Sequence, residues 1–245
     1  MSIPTAKPEL DSLTLQLWKQ LVQELGHIKQ QHTQVVFANS LAAEDMVIQH
    51  AIHEAQLNIT SFMLDTGRLH AETLALLDRV NAHYDVNIVR LQPNANAVDA
   101  HVSEHGAYAF YDSLELRKAC CHIRKVEPLR HYLKDKSAWI TGQRREQSLT
   151  RDALQKSESD AAFGLHKYNP LCDWTQEQVW AVIHAFSIPY NPLHDQGYPS
   201  IGCDPCTRAI RPGEDIRAGR WWWEQRNNSE CGLHVQATPI TTETT

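Results

Sequence analysis

Short apolar runs alternate with helical patterns along the first two thirds of the chain. Each run is four to six residues long, the length of a buried strand, and is followed by polar or turn-forming residues. The predicted strands cover 35–38, 59–64, 86–91 and 138–141, and the predicted helices that separate the first three cover 44–55 and 72–83. Strands that alternate with helices of this length form βαβ units. The pattern therefore predicts an α/β fold with a mostly parallel sheet flanked by helices.

A leucine repeat precedes the first predicted strand. Leu13, Leu17, Leu21 and Leu25 follow one another every four residues. Positions four apart lie one above the other on a helix. We therefore expect a helix whose apolar face consists of these four leucines.

Polar turns follow three of the predicted strands, at 40–45, 65–68 and 142–145. Parallel sheets bind ligands beyond the carboxyl ends of their strands, so we expect a site where these turns meet. In the first turn, the Ser40 hydroxyl and the amides of the next helix can receive an anion; a simple helix cap is the alternative. In and after the third turn, Arg144, Arg145 and Arg151 can clamp phosphates through forked guanidiniums.

The composition is that of one globular unit. The chain has 245 residues, 42% hydrophobic and 21% charged, which suffices for a full core. Its apolar runs are much shorter than the roughly 20 residues of a membrane span. The first nine residues lack the apolar core of a secretory signal. We expect one nucleotide-binding domain over 1–224, a flexible tail over 225–245, and a cytoplasmic location.

Basic residues are concentrated locally in an acidic chain. The net charge is −6, so no global field attracts nucleic acid or an anionic membrane. Eleven of the 23 lysines and arginines nevertheless fall within 117–125, 144–151, 208–211 and 217–220. Local basic sites suit a small anionic ligand, with a solvated surface as the alternative for any single residue. The sequence has no glycine-rich loop of the P-loop or dinucleotide type.

Four of the six cysteines form the pattern of a metal site. Cys120 and Cys121 are adjacent, and Cys203 and Cys206 form a Cys-x-x-Cys pair, a common half-site for zinc or an iron–sulfur cluster. Neighbouring side chains diverge, which suits the separated iron corners of a [4Fe–4S] cluster better than one small ion. Buried apolar thiols are the alternative, and this is the interpretation for the isolated Cys172.

Cys231 stands apart near the carboxyl end of the chain. A thiol on a movable segment can attack a substrate in a pocket and afterwards meet an external partner. Such an attack needs the thiolate, which a nearby arginine or protonated histidine favours. A stray exposed thiol is the alternative.

Taken in order, these motifs resemble those of the assimilatory adenylyl-sulfate reductases and their relatives that reduce 3′-phosphoadenylyl sulfate. The resemblance extends from about 35 to 234. It rests on Ser-Leu-Ala-Ala-Glu-Asp (40–45), Leu-Asp-Thr-Gly-Arg (64–68), Arg-Lys-Ala-Cys-Cys-His-Ile-Arg-Lys (117–125), Thr-Gly-Gln-Arg-Arg-Glu-Gln-Ser (141–148), Tyr-Asn-Pro-Leu-His-Asp-Gln-Gly-Tyr-Pro-Ser-Ile-Gly-Cys (190–203), Arg-Ala-Gly-Arg-Trp-Trp-Trp-Glu (217–224) and Glu-Cys-Gly-Leu-His (230–234).

The resemblance implies a Rossmann-like fold of the adenine nucleotide alpha-hydrolase type. It also implies an enzyme of sulfate assimilation and cysteine biosynthesis that reduces adenylyl sulfate (APS) to sulfite and AMP. In such an enzyme Cys231 attacks the sulfate sulfur, expels AMP and becomes an S-sulfocysteine. Reduced thioredoxin, whose potential of about −270 mV suits a cytosolic donor, then releases sulfite. We expect a homo-oligomer, as for many cytosolic enzymes.

The resemblance also assigns roles to individual residues. The implied ligands of a [4Fe–4S] cluster are Cys120, Cys121, Cys203 and Cys206, and His234 is expected beside the reacting thiol of Cys231. Adenosine is expected at Ser40, Asp65, Thr66, Gly67 and the backbone of Gly142. The phosphate and sulfate are expected at Lys125, Arg151, Arg217 and Arg220.

Two alternatives remain open from the sequence. One is an enzyme with the same thiol chemistry that reduces 3′-phosphoadenylyl sulfate. The other is a nucleotide-binding redox sensor in which the paired cysteines hold zinc and Cys231 forms regulatory disulfides. The related ATP pyrophosphatases rank lower, because residues 40–45 lack the double glycine of their Ser-Gly-Gly-x-Asp-Ser loop.

Overall fold

The structure is a computed structural model that describes residues 9–148 and 151–224. Its helices are α1 (Ser12–Gln31), α2 (Ala43–Glu54), α3 (Ala71–Tyr84), α4 (Ala95–His105), α5 (Leu114–Cys121), α6 (Glu127–Leu133) and α7 (Gln176–Phe186). Its strands are β1 (Val35–Ala38), β2 (Thr60–Leu64), β3 (Val89–Leu91), β4 (Ala138–Ile140), β5 (Ser157–Asp160) and β6 (Leu165–Tyr168). Within these residues, no helix combines the length and the apolar character that crossing a membrane requires.

The strands form one sheet with the order β3-β2-β1-β4-β6-β5. Neighbouring strands are parallel except for the antiparallel pair of β5 and β6. The chain proceeds outward from β1 to β3, then returns through α4, α5 and α6 to place β4 on the other side of β1. The connections from β1 and β4 therefore lead away from each other and leave a crevice, the usual ligand site of open α/β sheets. The predicted fold class is confirmed.

Side chains that alternate along the central strands give the sheet two apolar faces. Val35 and Phe37 of β1 pack into a core shared with α1, α2, α3 and α7. Val36 of β1 and Trp139 of β4 point to the opposite face and pack with Leu129 of α6. This alternation follows from the two-residue period of a strand, and helices cover both faces.

Helix α1 buries a different stripe from the predicted one. Its buried residues are Thr14, Trp18, Leu21, Leu25 and Ile28. Leu13 is 57% exposed, and Leu17 is only partly buried. Four residues advance about 40° beyond one helical turn, so that Leu13 and Leu25 differ by about 120°. Alternating steps of four and three residues keep the observed stripe on one face.

The two edges of the sheet depart from the predicted pattern. Strand β5 consists only of polar residues, which half-expose their side chains at the edge, so no apolar signal marks it. At the opposite edge, β3 has three residues instead of the six predicted for 86–91. The buried elements between the edges agree better, because α2 and α3 begin and end within one residue of the predicted bounds.

Candidate active site

A large cavity opens at the carboxyl edge of the sheet. Its volume is about 660 Å³, within the range of small-molecule sites. Its walls come from the ends of β1, β2 and β4, from α7 and from the segment 194–221. The predicted substrate residues on these walls are Ser40, Thr66, Lys125, Gly142, Arg151, Arg217 and Arg220. Asp65 and Gly67 lie in the turn after β2 but do not line the cavity.

Asp45 joins the turns that follow β1 and β4. The backbone N–H and the hydroxyl of Ser40 donate to Asp45 Oδ2 at 2.7 and 2.6 Å, and the Gly142 N–H also donates to this carboxyl. Burial raises the pKa of Asp45 to about 7, although the hydrogen bonds from Ser40 oppose the rise. Helix α2 begins after Ala42, which makes no side-chain cap bond, so Ser40 does not cap it. Sequence reasoning missed this use of Asp45.

Gly142 is confined by the same carboxyl. A Cβ at this position would overlap Asp45 Oδ1 and lie 3.1 Å from the Glu44 Cβ. The turn after β4 therefore approaches α2 more closely than any residue with a side chain allows. This contact closes the crevice at the point where β1 and β4 diverge.

The turn after β2 is held by hydrogen bonds of its own side chains. Asp65 accepts hydrogen bonds from Arg90 Nη2 at 2.5 Å and Gln92 Nε2 at 3.0 Å. Burial favours a higher pKa for Asp65, but these hydrogen bonds outweigh burial and hold its pKa below the ordinary value. The Thr66 hydroxyl lies 3.2 Å from Cys203 Sγ. Asp65 thus stabilises the turn, and Thr66 connects it to the cysteines.

Five lysine and arginine side chains line the same cavity. They are Lys125, Arg144, Arg151, Arg217 and Arg220. Arg220 is held by hydrogen bonds from Nη1 to Ser200 Oγ and the Ile201 carbonyl, at 3.3 and 3.2 Å. Arg151 donates to Gln147 Oε1. Cations gathered from three separate parts of the sequence give this cavity the positive potential that an anionic ligand requires.

Arg144 and Arg145 are bound to carboxylates, contrary to the expectation that they clamp phosphates. Arg144 is 2% exposed and donates to Glu44 Oε1 from Nε and Nη2, at 3.0 and 2.9 Å. Its Nη1 donates to Glu146 Oε2 at 2.7 Å. Arg145 pairs with Asp173. A buried arginine needs such partners, so Arg144 serves to connect the β4 turn to α2.

A second, small cavity lies beside the large one and contains the paired cysteines. We call it the cysteine cavity; its volume is about 20 Å³. Its lining residues are Arg68, Phe110, Arg117, Cys120, Cys121, Arg124, Lys125, Cys203, Cys206, Arg220 and Trp221. Lys125, Cys203, Arg220 and Trp221 also line the large cavity. The structure therefore brings the four predicted ligand cysteines together, next to the basic wall.

Burial and mutual repulsion disfavour the free thiolates in the cysteine cavity. Burial, reinforced by Cys203, raises the pKa of Cys206 to about 12. Burial also raises the pKa of Cys120, although Arg124 opposes the rise. Across residues 9–148 and 151–224, no three His, Cys, Asp or Glu side chains are arranged to hold one metal ion. Cys172 is buried, as expected, and lines neither cavity.

A π-helical turn explains how adjacent cysteines and two cations reach one place. Helix α5 ends with Cys120 and Cys121, and the π turn His122–Val126 follows without a break. A π turn widens the helix and shifts the side chains that follow. It carries Arg124, whose Nη1 donates to the Thr66 carbonyl at 2.7 Å, and Lys125. No sequence pattern predicts this turn. The remaining predicted residues, Cys231 and His234, lie outside the described residues.

Comparison with known sequences identifies relatives along most of the chain. Residues 34–209 match the phosphoadenosine phosphosulfate reductase domain. A protein of Burkholderia cepacia named adenosine 5′-phosphosulfate reductase is 60% identical over 217 residues, which cover 88% of this chain and 87% of that protein. A protein of the same name from Allochromatium vinosum is 52% identical over 227 residues, covering 93% and 86% of the two chains.

Comparison with solved structures supports the fold. The crystal structure of a phosphoadenylyl-sulfate reductase from Candida auris, in a phosphate complex, superposes with a TM-score of 0.65 at 24% identity, covering 84% of this chain and all of that one. An FMN adenylyltransferase of Candida glabrata superposes with a TM-score of 0.58 at 11% identity, covering 94% and 78%. At these identities the likeness concerns the fold alone. The domain match and the sequence relatives together show that the chain belongs to the phosphoadenosine phosphosulfate reductase domain family.

Proposed function

We propose that this protein reduces adenylyl sulfate to sulfite and AMP, with a reduced thiol protein of the thioredoxin type as electron donor. The observation that supports this proposal most directly is a nucleotide-sized cavity whose cationic wall continues into a cavity lined by four cysteines. The relatives named adenosine 5′-phosphosulfate reductase, at 52–60% identity, support the same reaction. The route requires reduced thiols, which a reducing cytoplasm supplies.

The binding step uses the residues on the walls of the large cavity. All four cations named here line that cavity. In this proposal Lys125, Arg217 and Arg220 neutralise the sulfate and phosphate charges, and Arg151 contacts the nucleotide phosphate. The turns at Ser40 and Gly142 both line the large cavity, so in this proposal the adenosine part lies against them. Asp65 is a supporting residue in this proposal, because its carboxyl is already bonded to Arg90 and Gln92.

The chemical steps pass through thiols. The Cys231 thiolate forms a bond to the sulfate sulfur while the bond from that sulfur to the AMP oxygen breaks, and AMP leaves with the electron pair. His234 assists near this thiol. A donor thiolate then attacks the S-sulfocysteine, sulfite leaves, and the donor's second thiol restores Cys231 and closes the donor's disulfide. The two electrons thus come from the dithiol donor.

The cysteine cavity fits a [4Fe–4S] cluster by the chemistry of its side chains. Four thiolates are the usual ligand set of this cluster, and four cysteine side chains line one cavity. No carboxylate lines it, whereas five cationic side chains do, which offsets the negative charge of bound thiolates. When bound, the cluster supplies a fixed group that orders the adjoining basic wall. Lys125 and Arg220 line both cavities and connect the two.

The testing experiment is sulfite release by anaerobically purified protein with reduced thioredoxin, comparing adenylyl sulfate with its 3′-phosphorylated form. We expect faster release from adenylyl sulfate. A preference for the phosphorylated form would keep the thiol chemistry but overturn the assigned substrate. Iron-containing protein that releases sulfite from neither would overturn the enzyme and favour a redox sensor.

Cys231→Ser provides the matched variant for the chemical step. It should lose turnover while it keeps nucleotide binding and iron content, because the proposal assigns those two roles to side chains that line the two cavities. Its loss of iron instead would contradict the role of Cys231 as nucleophile.

A further inference from the structure

The last described residue, Glu224, is joined to the cysteine-bearing helix by a buried ion pair. Arg117 Nε and Nη2 of α5 donate to Glu224 Oε1 and Oε2 at 2.7 and 2.8 Å. The two side chains are 1% and 9% exposed. Two parallel hydrogen bonds between a guanidinium and a carboxylate fix orientation as well as distance. The backbone at residue 224 is therefore held at a defined place on α5.

The same arginine lies against the cysteine cavity. Its guanidinium covers the Trp221 ring at 4.5 Å, hydrogen-bonds Cys121 and lines the cavity. Arg117 thus contacts one cysteine of the tandem pair and the carboxylate that precedes the carboxyl-terminal segment. One side chain connects the two features.

The backbone around Trp221 is strained and held in place. Trp221 has φ 44°, a left-handed conformation that is unfavourable for a bulky residue. Its N–H donates to the Cys206 carbonyl at 3.1 Å, and the Glu224 N–H donates to the Trp221 carbonyl at 2.8 Å. Strain of this kind persists only where surrounding contacts enforce it. The Arg117–Glu224 pair is one of those contacts.

Cys231 follows Glu224 by seven positions in the sequence. Seven residues span at most about 25 Å when fully extended, so the position of Glu224 limits where the thiol can go. Trp221, three residues before Glu224, lines both cavities. A fixed start beside the cavities raises the effective concentration of a tethered thiol there.

We propose that Arg117 and Glu224 are positioning residues whose ion pair fixes the start of the carboxyl-terminal segment, so that Cys231 reaches a substrate bound in the large cavity. This inference rests on the proposed function, because it takes Cys231 as the nucleophile. It assigns to the two residues a role in the first thiol step and none in nucleotide binding. Neither residue lines the large cavity.

A second Arg–Glu pair supplies the matched control. Arg208 donates to Glu214 from both Nη atoms, at 2.9 and 3.1 Å. This pair has the same residue types and also makes two hydrogen bonds, but it lines neither cavity and is about one third exposed. Glu214→Gln therefore removes an equivalent negative charge from the same part of the chain without changing the Arg117–Glu224 pair.

The test measures the first thiol step alone. Wild type, Glu224→Gln, Glu224→Asp and Glu214→Gln are mixed with adenylyl sulfate in the absence of a reductant, and the mass increase on Cys231 is followed with time. We expect Glu224→Gln to slow this single turnover about 10- to 100-fold, Glu224→Asp to recover part of the rate through its retained charge, and Glu214→Gln to match wild type. AMP affinity and iron content should be unchanged in all four proteins.

A readout independent of turnover separates this inference from the proposed function. The rate at which iodoacetamide alkylates Cys231 is measured with and without AMP, and we expect AMP to change it in wild type and in Glu214→Gln but much less in Glu224→Gln. A wild-type rate of modification in Glu224→Gln, or a loss fully explained by lost iron or AMP binding, overturns the positioning role. Wild-type protein that forms no S-sulfocysteine but keeps the AMP-dependent difference would overturn the proposed function alone.

Discussion

The two neighbouring cavities are built in opposite ways. The large cavity follows from strand order. It lies where the connections after β1 and β4 lead to opposite sides of the sheet, next to the turn after β2. Contacts within the protein, such as Asp45–Ser40 and Arg144–Glu44, fix part of its wall. The cysteine cavity contains no strand residue and is formed by α5, the π turn and the Cys-x-x-Cys loop.

This difference separates a preformed site from one that depends on its occupant. Hydrogen bonds between protein groups link the turns that line the large cavity. Four cysteines surround about 20 Å³ in the other cavity, where burial and mutual repulsion disfavour their thiolates unless a bound group compensates. We therefore expect substitutions in the first cavity to affect binding or pH dependence, and those in the second to affect iron content.

The largest expected effect comes from Cys203→Ser. Loss of one of four thiolates should remove the iron and lower sulfite release about 100-fold or more. The sheet should remain folded, because Cys203 belongs to neither apolar core face. Iron analysis, sulfite release and far-UV circular dichroism measure these outcomes.

Cys172→Ser is the control for Cys203→Ser. Cys172 is also buried but lines neither cavity, so iron should be retained. Unchanged iron in Cys203→Ser, or its loss from Cys172→Ser, would show that the ligand set is wrong.

The next effect concerns pH and Asp45. Because burial raises the folded-state pKa to about 7, the folded state binds this proton more tightly than the unfolded chain. Asp45 therefore contributes stability that is fully present below the ordinary pKa and is lost as the pH rises through about 7. Between pH 5 and pH 8, wild type should lose roughly 2–3 kcal/mol of unfolding free energy relative to Asp45→Asn. Urea unfolding across this range measures the difference, and parallel pH profiles would contradict the burial of an ionisable group.

Asp45 also shows which features of the site can be predicted from the sequence and which cannot. Apolar runs predicted β1, β2 and β4, and the polar turns after them predicted the place of the large cavity. These features depend on local pattern and on a general property of parallel sheets. That Asp45 joins Ser40 to Gly142 depends on which turns the topology brings together across about 100 residues, and no local pattern encodes that pairing.

Other differences have the same physical origin. The four-residue leucine spacing predicted a helix correctly. Its positions rotate around the axis of α1, however, and a single buried stripe needs steps of three as well as four residues. Arg144 resembled a phosphate clamp in the sequence, yet Arg144, although it lines the large cavity, is already paired with Glu44 and Glu146. The cysteine spacing predicted a common site, whereas the π turn that aims those cysteines has no sequence signature.

A smaller effect is expected from Gly142→Ala. The added methyl overlaps Asp45 Oδ1, which forces apart the turns after β1 and β4 and weakens AMP binding about tenfold. Iron content should be unchanged, because Gly142 does not line the cysteine cavity.

Gly26→Ala in α1 is the control for Gly142→Ala. Nothing lies within 4 Å of its added methyl, and alanine should stabilise the helix by about 1 kcal/mol. Equal AMP affinities for the wild type and Gly142→Ala, by titration calorimetry, would contradict the close approach of the two turns.

The smallest effect tests where one cavity ends and the other begins. Thr66 lines the large cavity, yet its hydroxyl lies 3.2 Å from Cys203 Sγ. Thr66→Val keeps the shape and removes the hydroxyl, a loss of about 1 kcal/mol for one hydrogen bond. Because that bond is made to sulfur, we expect iron to be released to a chelator several times faster, while AMP affinity stays the same. Weaker AMP binding with unchanged iron release would contradict this expectation. It would mean that the Thr66 hydroxyl contributes to the nucleotide site and not to the cysteine cavity.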